Sequence, residues 1–207
     1  MVKIIGISGS PRTQGNTTLL VETALKSAKE NGAEIKLIEL GDKTIKSCAN
    51  GGECYELGRC IQEDDLNSIA KEMSEADGII LGAPSYQAAV PGLMKNMLYR
   101  LGRFVNLRGK VGGAVVVGRR SGMSLTLTEL FFFMYVKEMV IPGSPHWPIG
   151  FGLHVADVHG DTEAIMAAEE IGMRIAVLAE KISKDPLPWM ENHKDGRMRP
   201  AFGDDWR

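Results

Sequence analysis

Disulfide-forming cysteine, net charge and long hydrophobic runs are all scarce in this sequence, and each shortage excludes a class of protein. Only three cysteines occur in 207 residues. Cys48, Cys54 and Cys60 crowd into one short stretch, and an odd, clustered set makes a poor disulfide framework and points to a reducing compartment. Lys plus Arg number 24 against 26 Asp plus Glu, a formal net charge of −2, so no whole-surface basic field exists for nucleic acid. The longest uncharged apolar stretches, such as Leu130 to Val136, fall far short of the roughly 20 residues that cross a bilayer. No secretory leader is read at Met1-Val2-Lys3, which runs directly into a strand-like segment. Neither a Ser-His-Asp arrangement nor H-E-x-x-H is present, and no internal repeat or low-complexity tract appears. The expectation is a cytoplasmic protein with neither membrane nor nucleic acid as partner.

What is there is an ordinary globular balance, 44% hydrophobic and 24% charged, sufficient for one α/β domain with a full core. Short apolar runs alternate with helical patterns. Lys3 to Ile7, Glu34 to Leu40, Gly78 to Leu81 and Val111 to Val117 read as strands, with a short fifth expected at Glu138 to Ile141. Helices are predicted from Asn16 to Glu30, Asp64 to Ser74, Pro91 to Leu101, Leu125 to Lys137 and Thr162 to Ile182. Alternating strands and helices require crossover connections, hence a parallel sheet covered on both faces. Two segments break the rhythm: a Gly- and Cys-containing insertion at residues 42–62, and a long loop at 143–160 holding His146, Trp147 and His154. A charged, Pro-rich tail follows from residue 185.

Three loops at carboxyl ends of strands carry candidate chemistry. The first runs from Gly6 through Ser8, Gly9, Ser10, Pro11, Arg12, Thr13, Gln14, Gly15, Asn16, Thr17 and Thr18, between the first strand and first helix. That position aims backbone N–H groups and a helix dipole at an anion, and Arg12 can grip phosphate with parallel N–H bonds. The loop is not the nucleoside-triphosphate type, because five residues separate Gly9 from Gly15 and Asn16 stands where lysine is needed. It is not the dinucleotide type either, since Ser8 replaces the second glycine of G-x-G-x-x-G. A hydroxyl-rich loop for one terminal phosphate remains, as a mononucleotide cofactor requires. The second loop, Pro84-Ser85-Tyr86-Gln87-Ala88-Ala89, offers a flat apolar wall and exposed amides to a planar ring, or is a plain strand-to-helix connection. The third, Gly118-Arg119-Arg120-Ser121-Gly122, suits a phosphate or a developing anion, or is a solvated basic turn.

Gly9-Ser10-Pro11-Arg12 with Gly15-Asn16-Thr17, then Glu75-Ala76-Asp77-Gly78-Ile79-Ile80 leading to Pro84-Ser85-Tyr86, resembles the NAD(P)H-dependent FMN reductases. More narrowly the chain is similar to their iron-sulfur flavoprotein branch, over roughly residues 1–182. The resemblance implies a flavodoxin-like doubly wound sheet of five parallel strands in the order 2-1-3-4-5, with helices on both faces. It implies a domain over residues 1–184 followed by the 185–207 tail. It places FMN phosphate on Ser8 to Thr18 and the ring near Pro84, Ser85, Tyr86, Gln87 and Ala88, with Gly118, Arg119 and Arg120 alongside. Homodimers or homotetramers are implied too. Where the helix after the second loop often ends Asp-Arg in this family, the chain has Tyr99-Arg100.

The cysteines depart further. The branch typically shows C-x2-C-x2-C and a fourth cysteine several residues on; here Cys48, Cys54 and Cys60 match and Gly51 stands at the second position. Glycine supplies no ligand to a [4Fe–4S] cluster, which normally takes four thiolates. The expectation is therefore no metal; a cluster, if formed, would use Cys48, Cys54 and Cys60. The function expected is an FMN-dependent oxidoreductase taking hydride from NAD(P)H and passing electrons to a second acceptor such as a quinone or flavin. In such an enzyme the flavin N5 carries the chemistry and no catalytic side chain is named. The alternative is an electron carrier accepting electrons from ferredoxin.

Overall fold

A computed structural model describes residues 1–191. Five strands, β1 (Lys3–Ser8), β2 (Glu34–Glu39), β3 (Gly78–Pro84), β4 (Val111–Gly118) and β5 (Ile149–Phe151), form one sheet in the order β2-β1-β3-β4-β5. Every pairing is parallel. β3 and β4 are buried along their whole length, which is why they read as unbroken apolar runs rather than alternating ones. Edge strand β2 keeps an alternating pattern because one of its faces is partly open.

The helices divide between the two faces. On one side α1 (Asn16–Glu30) and α6 (Thr162–Lys184) close a core containing Ile4, Leu20, Val21, Val115, Ile171 and Ile175. These two helices touch backbone to backbone: a Cβ at Gly172 would lie 1.9 Å from the Ala24 carbonyl oxygen, so only glycine allows the approach. On the other side α3 (Leu66–Glu75), α4 (Gly92–Leu101) and α5 (Met123–Val136) cover Ile5, Ile7, Ile79, Met73, Met94 and Leu130. Each fully buried Ile or Leu contributes on the order of 1.5–3 kcal/mol over its exposed state. A one-turn helix α2 (Cys54–Leu57) lies within the 42–62 insertion, and a final turn α7 (Pro188–Glu191) follows α6.

The fifth strand is not where the periodicity put it. In the Glu138 to Ile141 segment only Val140 reaches the sheet: its N–H bonds Lys110 and its carbonyl takes the Gly112 N–H, both at 2.9 Å. The chain then leaves the edge through Pro142, Pro145 and Pro148, which have no N–H to give a ladder. It returns when the Pro148 carbonyl accepts from Val116 at 2.9 Å, and β5 pairs with Val116–Gly118. The expected 143–160 loop thus contains β5 and a short 3-10 turn, Asp157–Gly160. At the start of the expected tail, Leu187 and Met190 pack on the α1/α6 core; residues 192–207 lie outside the described residues.

Candidate functional site

The carboxyl ends of β1, β3, β4 and β5 deliver four loops to one edge of the sheet, and a chain of contacts ties them together. Gly9 N–H bonds the Gly82 carbonyl at 2.7 Å, joining the first loop to the end of β3. Ser85 N–H bonds Val117 at 2.7 Å, joining the second loop to the end of β4. Gly152 N–H bonds Gly118 at 3.2 Å, and the Asn16 side-chain amide donates to the His154 carbonyl at 2.7 Å. The edge is a closed circuit in which the fourth loop, after β5, returns to the first.

The first loop has the features an anion needs. α1 is capped by Gly15, with no side-chain cap and no acidic residue in its first turn. The N–H groups of Asn16, Thr17 and Thr18 therefore have neither an intrahelical acceptor nor a competing carboxylate from the helix itself. Ser10 and Thr17 are nearly buried, at 5% and 3% exposure. Ser10 Oγ accepts the Arg12 N–H at 3.0 Å, which folds the loop back on itself. Pro11, Arg12, Thr13 and Gln14 are exposed, and Arg12 pairs with no carboxylate among the described residues. Ser8 and Thr18 are placed differently from expectation. Their hydroxyls lie 2.9 Å apart, and Thr18 donates onward to the Glu39 carboxylate at 2.8 Å.

The second loop is a two-residue hairpin. Tyr86 and Ala89 exchange N–H···O bonds of 3.0 and 3.1 Å around Gln87 and Ala88, whose φ angles are +53° and +60°. That is the left-handed turn where Asn-Gly ordinarily sits. Its tip meets the third loop: a Cβ on Gly122, itself at φ +85°, would stand 2.8 Å from Ala88 Cα. Ser85 Oγ lies 2.8 Å from the Thr126 hydroxyl, Pro84 closes β3, and Tyr86 is 44% exposed. Gly118 is buried at the end of β4, whereas Arg119 and Arg120 are exposed and form no ion pair among the described residues. The structure thus brings the expected first, second and third loops to one edge.

Sequence reasoning missed two contributors. Glu39, at the end of β2, accepts from both Thr18 and the Gln14 N–H at 2.8 Å; it reads as an ordinary solvent-side strand residue. Asp157 accepts the N–H groups of His154 at 2.7 Å and Leu153 at 2.9 Å, which together hold its carboxyl below the usual range and shape the fourth loop.

The cysteine insertion is fastened by arginine. Arg100 is 1% exposed and grips the buried Asp64 carboxylate with both terminal nitrogens, the second bond being 3.2 Å. It also bonds the Lys46 carbonyl at 2.8 Å and Cys60 Sγ at 3.1 Å. Burial alone would push the Asp64 carboxyl up, but Arg100 and the N–H groups of Lys46 and Leu66 bring it below the ordinary range. Arg103 lies over the rings of Tyr55 at 4.6 Å and Tyr99 at 5.7 Å. The Nε atoms of Arg100 and Arg103 are buried without an acceptor among the described residues. Three thiols, one already engaged by Arg100, do not match the four-thiolate set of a [4Fe–4S] cluster, and Gly51 leaves that corner bare. Among the described residues no three His, Cys, Asp or Glu side chains are arranged to hold a metal ion. No helix there is long and apolar enough to cross a membrane.

Comparison with known proteins follows the same lines. A family model described as NADPH-dependent FMN reductase matches residues 2–154. An iron-sulfur flavoprotein of Methanocaldococcus jannaschii is 38% identical over 193 residues, 88% of this chain and 100% of the relative. Among solved structures, RosB with a bound 8-demethyl-8-formylriboflavin-5'-phosphate intermediate superposes with a TM-score of 0.70 at 15% identity, covering 90% of this chain and 82% of that one. A flavodoxin from the domain Archaea gives 0.61 at 17% identity, covering 86% and 99%.

Proposed function

Since the chain belongs to the NADPH-dependent FMN reductase family, we propose that it binds FMN along this loop edge and works as an NAD(P)H-dependent oxidoreductase, reducing a small-molecule acceptor such as a quinone or a flavin. The observation that carries the reading is the start of α1, which has no side-chain cap, with the Ser10 to Gly15 loop before it, set at the same sheet edge as the Tyr86–Ala89 hairpin and the Gly118 to Gly122 turn. A terminal phosphate would be held by the N–H groups of Gly15 to Thr18, the hydroxyls of Ser10 and Thr17, and Arg12. The planar ring would lie against Pro84 to Ala88, with Arg119 and Arg120 adding positive charge nearby. FMN, when bound, supplies the hydride-accepting chemistry, so the side chains need only position, exclude water and set the local field.

Glu129 takes part in that positioning. Its carboxylate accepts the Val90 N–H at 3.0 Å and pairs with Lys95, holding the far arm of the hairpin against α5. We place a homodimer or homotetramer in the proposal, with the apolar face of α5 as contact. The decisive experiment is anaerobic mixing of FMN-loaded protein with NADH or NADPH while flavin absorbance is followed. Bleaching by either nucleotide is expected; a flavin that binds and stays oxidised with both removes the oxidoreductase reading.

A further inference from the structure

Glu39 occupies an unexpected place for a phosphate-binding loop. Its Oε1 accepts from the Gln14 N–H and from the Thr18 hydroxyl, each at 2.8 Å. Gln14 is held at φ +54°, a conformation costly for a residue with a side chain, and this bond helps to keep it there. The Thr18 hydroxyl in turn lies 2.9 Å from Ser8 Oγ, so a Ser8–Thr18–Glu39 line runs under the loop. Directly after it, the backbone at Gly41 packs on the first loop: a Cβ there would stand 3.0 Å from the Pro11 carbonyl oxygen. The β2 end is thus a wall of the loop, and the charged group it presents is a carboxylate.

A carboxylate taking two donors of a loop built for an anion acts as an internal competitor. We propose that Glu39 is a specificity- and affinity-setting residue that weakens the loop's hold on phosphate and so keeps the flavin exchangeable, not permanently held. The inference rests on the FMN-binding reading above. Glu39 opposes a bound phosphate in two ways. It takes the Gln14 and Thr18 donors, and it adds a like charge within a few ångströms of the loop. The Gln14 N–H and the Thr18 hydroxyl are the donors that would become available to phosphate if Glu39 turned away. Charges that oppose it are few: Arg12 and Lys43 lie on the adjoining segments, and Lys43 is already paired with Asp42 at 2.9 Å.

The test compares FMN with riboflavin, which has the same ring and no phosphate. Glu39→Gln keeps an oxygen acceptor for Gln14 and Thr18 and removes only the charge. By titration of flavin fluorescence, FMN affinity should rise about 5- to 10-fold, as expected for a like charge removed at partly solvated range, while riboflavin affinity stays within about 2-fold. Equal changes for both flavins, no change for FMN, or weaker FMN binding would each overturn the proposal, the last making Glu39 a brace for the loop. If the glutamine variant fails to fold, Glu39→Ala serves, since the ratio of FMN to riboflavin affinity should still rise. Wild-type protein that binds FMN with an unmoved ratio in the variants defeats this inference alone. Wild-type protein that binds no FMN defeats the functional reading with it.

Discussion

Replacing Arg100 by methionine isolates the contact that fastens the cysteine insertion to the sheet domain. Both partners are out of water, Arg100 at 1% and Asp64 at 0% side-chain exposure. Without Arg100, Asp64 retains only the N–H groups of Lys46 at 2.8 Å and Leu66 at 3.2 Å, and the Lys46 carbonyl and Cys60 thiol lose their donor. Removing one member of a buried pair strands the other charge and costs about 3–5 kcal/mol, a large share of a typical total of about 5–15. The measurement is urea denaturation at neutral pH. Adding Asp64→Asn to the variant removes the stranded charge, so the double variant should be more stable than Arg100→Met alone. The pH dependence has a definite sign. Asp64 is held below its unfolded value, so its contribution is complete above about pH 4 and is lost as pH falls through the lowered folded value. In the variant the buried carboxylate is unpaired and favours protonation, so the gap from wild type should narrow as pH falls from about 7 toward 4. A cost under about 1 kcal/mol with a gap independent of pH would refute the reasoning.

Arg12→Ala should weaken FMN binding by about 1.5–3 kcal/mol if the exposed guanidinium makes charge-assisted bonds to phosphate, and an unchanged dissociation constant would move the phosphate elsewhere. Gly51→Cys restores a fourth thiol, and the atoms nearest a Cβ at that position are the movable end of Glu53. After anaerobic reconstitution the variant should take up stoichiometric iron and sulfide and the wild-type chain should not; stoichiometric iron and sulfide in the wild type would defeat this. Light scattering at micromolar concentration should give at least a dimer mass. Leu125 and Phe132, both at 64%, and Tyr135 at 74% leave α5 with an exposed apolar face that a monomer would show to water; a monomer mass would count against the assembly.

The parallel sheet was legible because buried parallel strands leave continuous runs such as Val111 to Val117, whereas the strand order came from the family resemblance, carried by one segment that combined glycines, hydroxyls and a helix start. β5 was not legible, since strand and proline-interrupted loop share the edge of β4 in turn: Val140 touches it, Pro142 to Pro148 depart, and Ile149 returns. Hydrophobic pattern scores the apolar Met139-Val140-Ile141 above Ile149-Gly150-Phe151, but pairing also requires N–H groups in register, which periodicity does not count. Glu39 was missed for a related reason. In β2 it occupies a position where an acidic side chain facing solvent is ordinary, and only the crossover of α1 brings Gln14 and Thr18 over it. At Tyr99-Arg100 the sequence showed only a departure from Asp-Arg at Tyr99, while the importance of Arg100 lies in a partner at position 64, far off in sequence. Long-range polar pairs leave no local periodic trace.

Most of the places where local backbone rules are broken lie at the loop edge. Of the six non-glycine residues with positive φ among the described residues, Gln14, Gln87, Ala88 and Ala156 belong to the four loops that meet at the carboxyl edge of the sheet; Asn50 lies in the cysteine insertion and Glu138 after α5. Each such residue costs on the order of 1–3 kcal/mol and persists only where neighbours over-determine it. Those neighbours can be named. Glu39 holds the Gln14 N–H, the paired Tyr86 and Ala89 bonds close the hairpin, and Gly122 leaves room for Ala88. Glycine at position 87 or 88 would have relieved the strain of the turn, yet at those positions the chain keeps Gln and Ala. A backbone fixed in this way presents its N–H groups in set directions before any ligand arrives, so less ordering is left to be done on binding. Glu39 fits this arrangement from the opposite side: it maintains the loop's shape through hydrogen bonds while its charge limits how firmly that shape can hold a phosphate. Shape and affinity are thereby set by one carboxylate but through separable properties, acceptor and charge, and the glutamine substitution pulls those two apart.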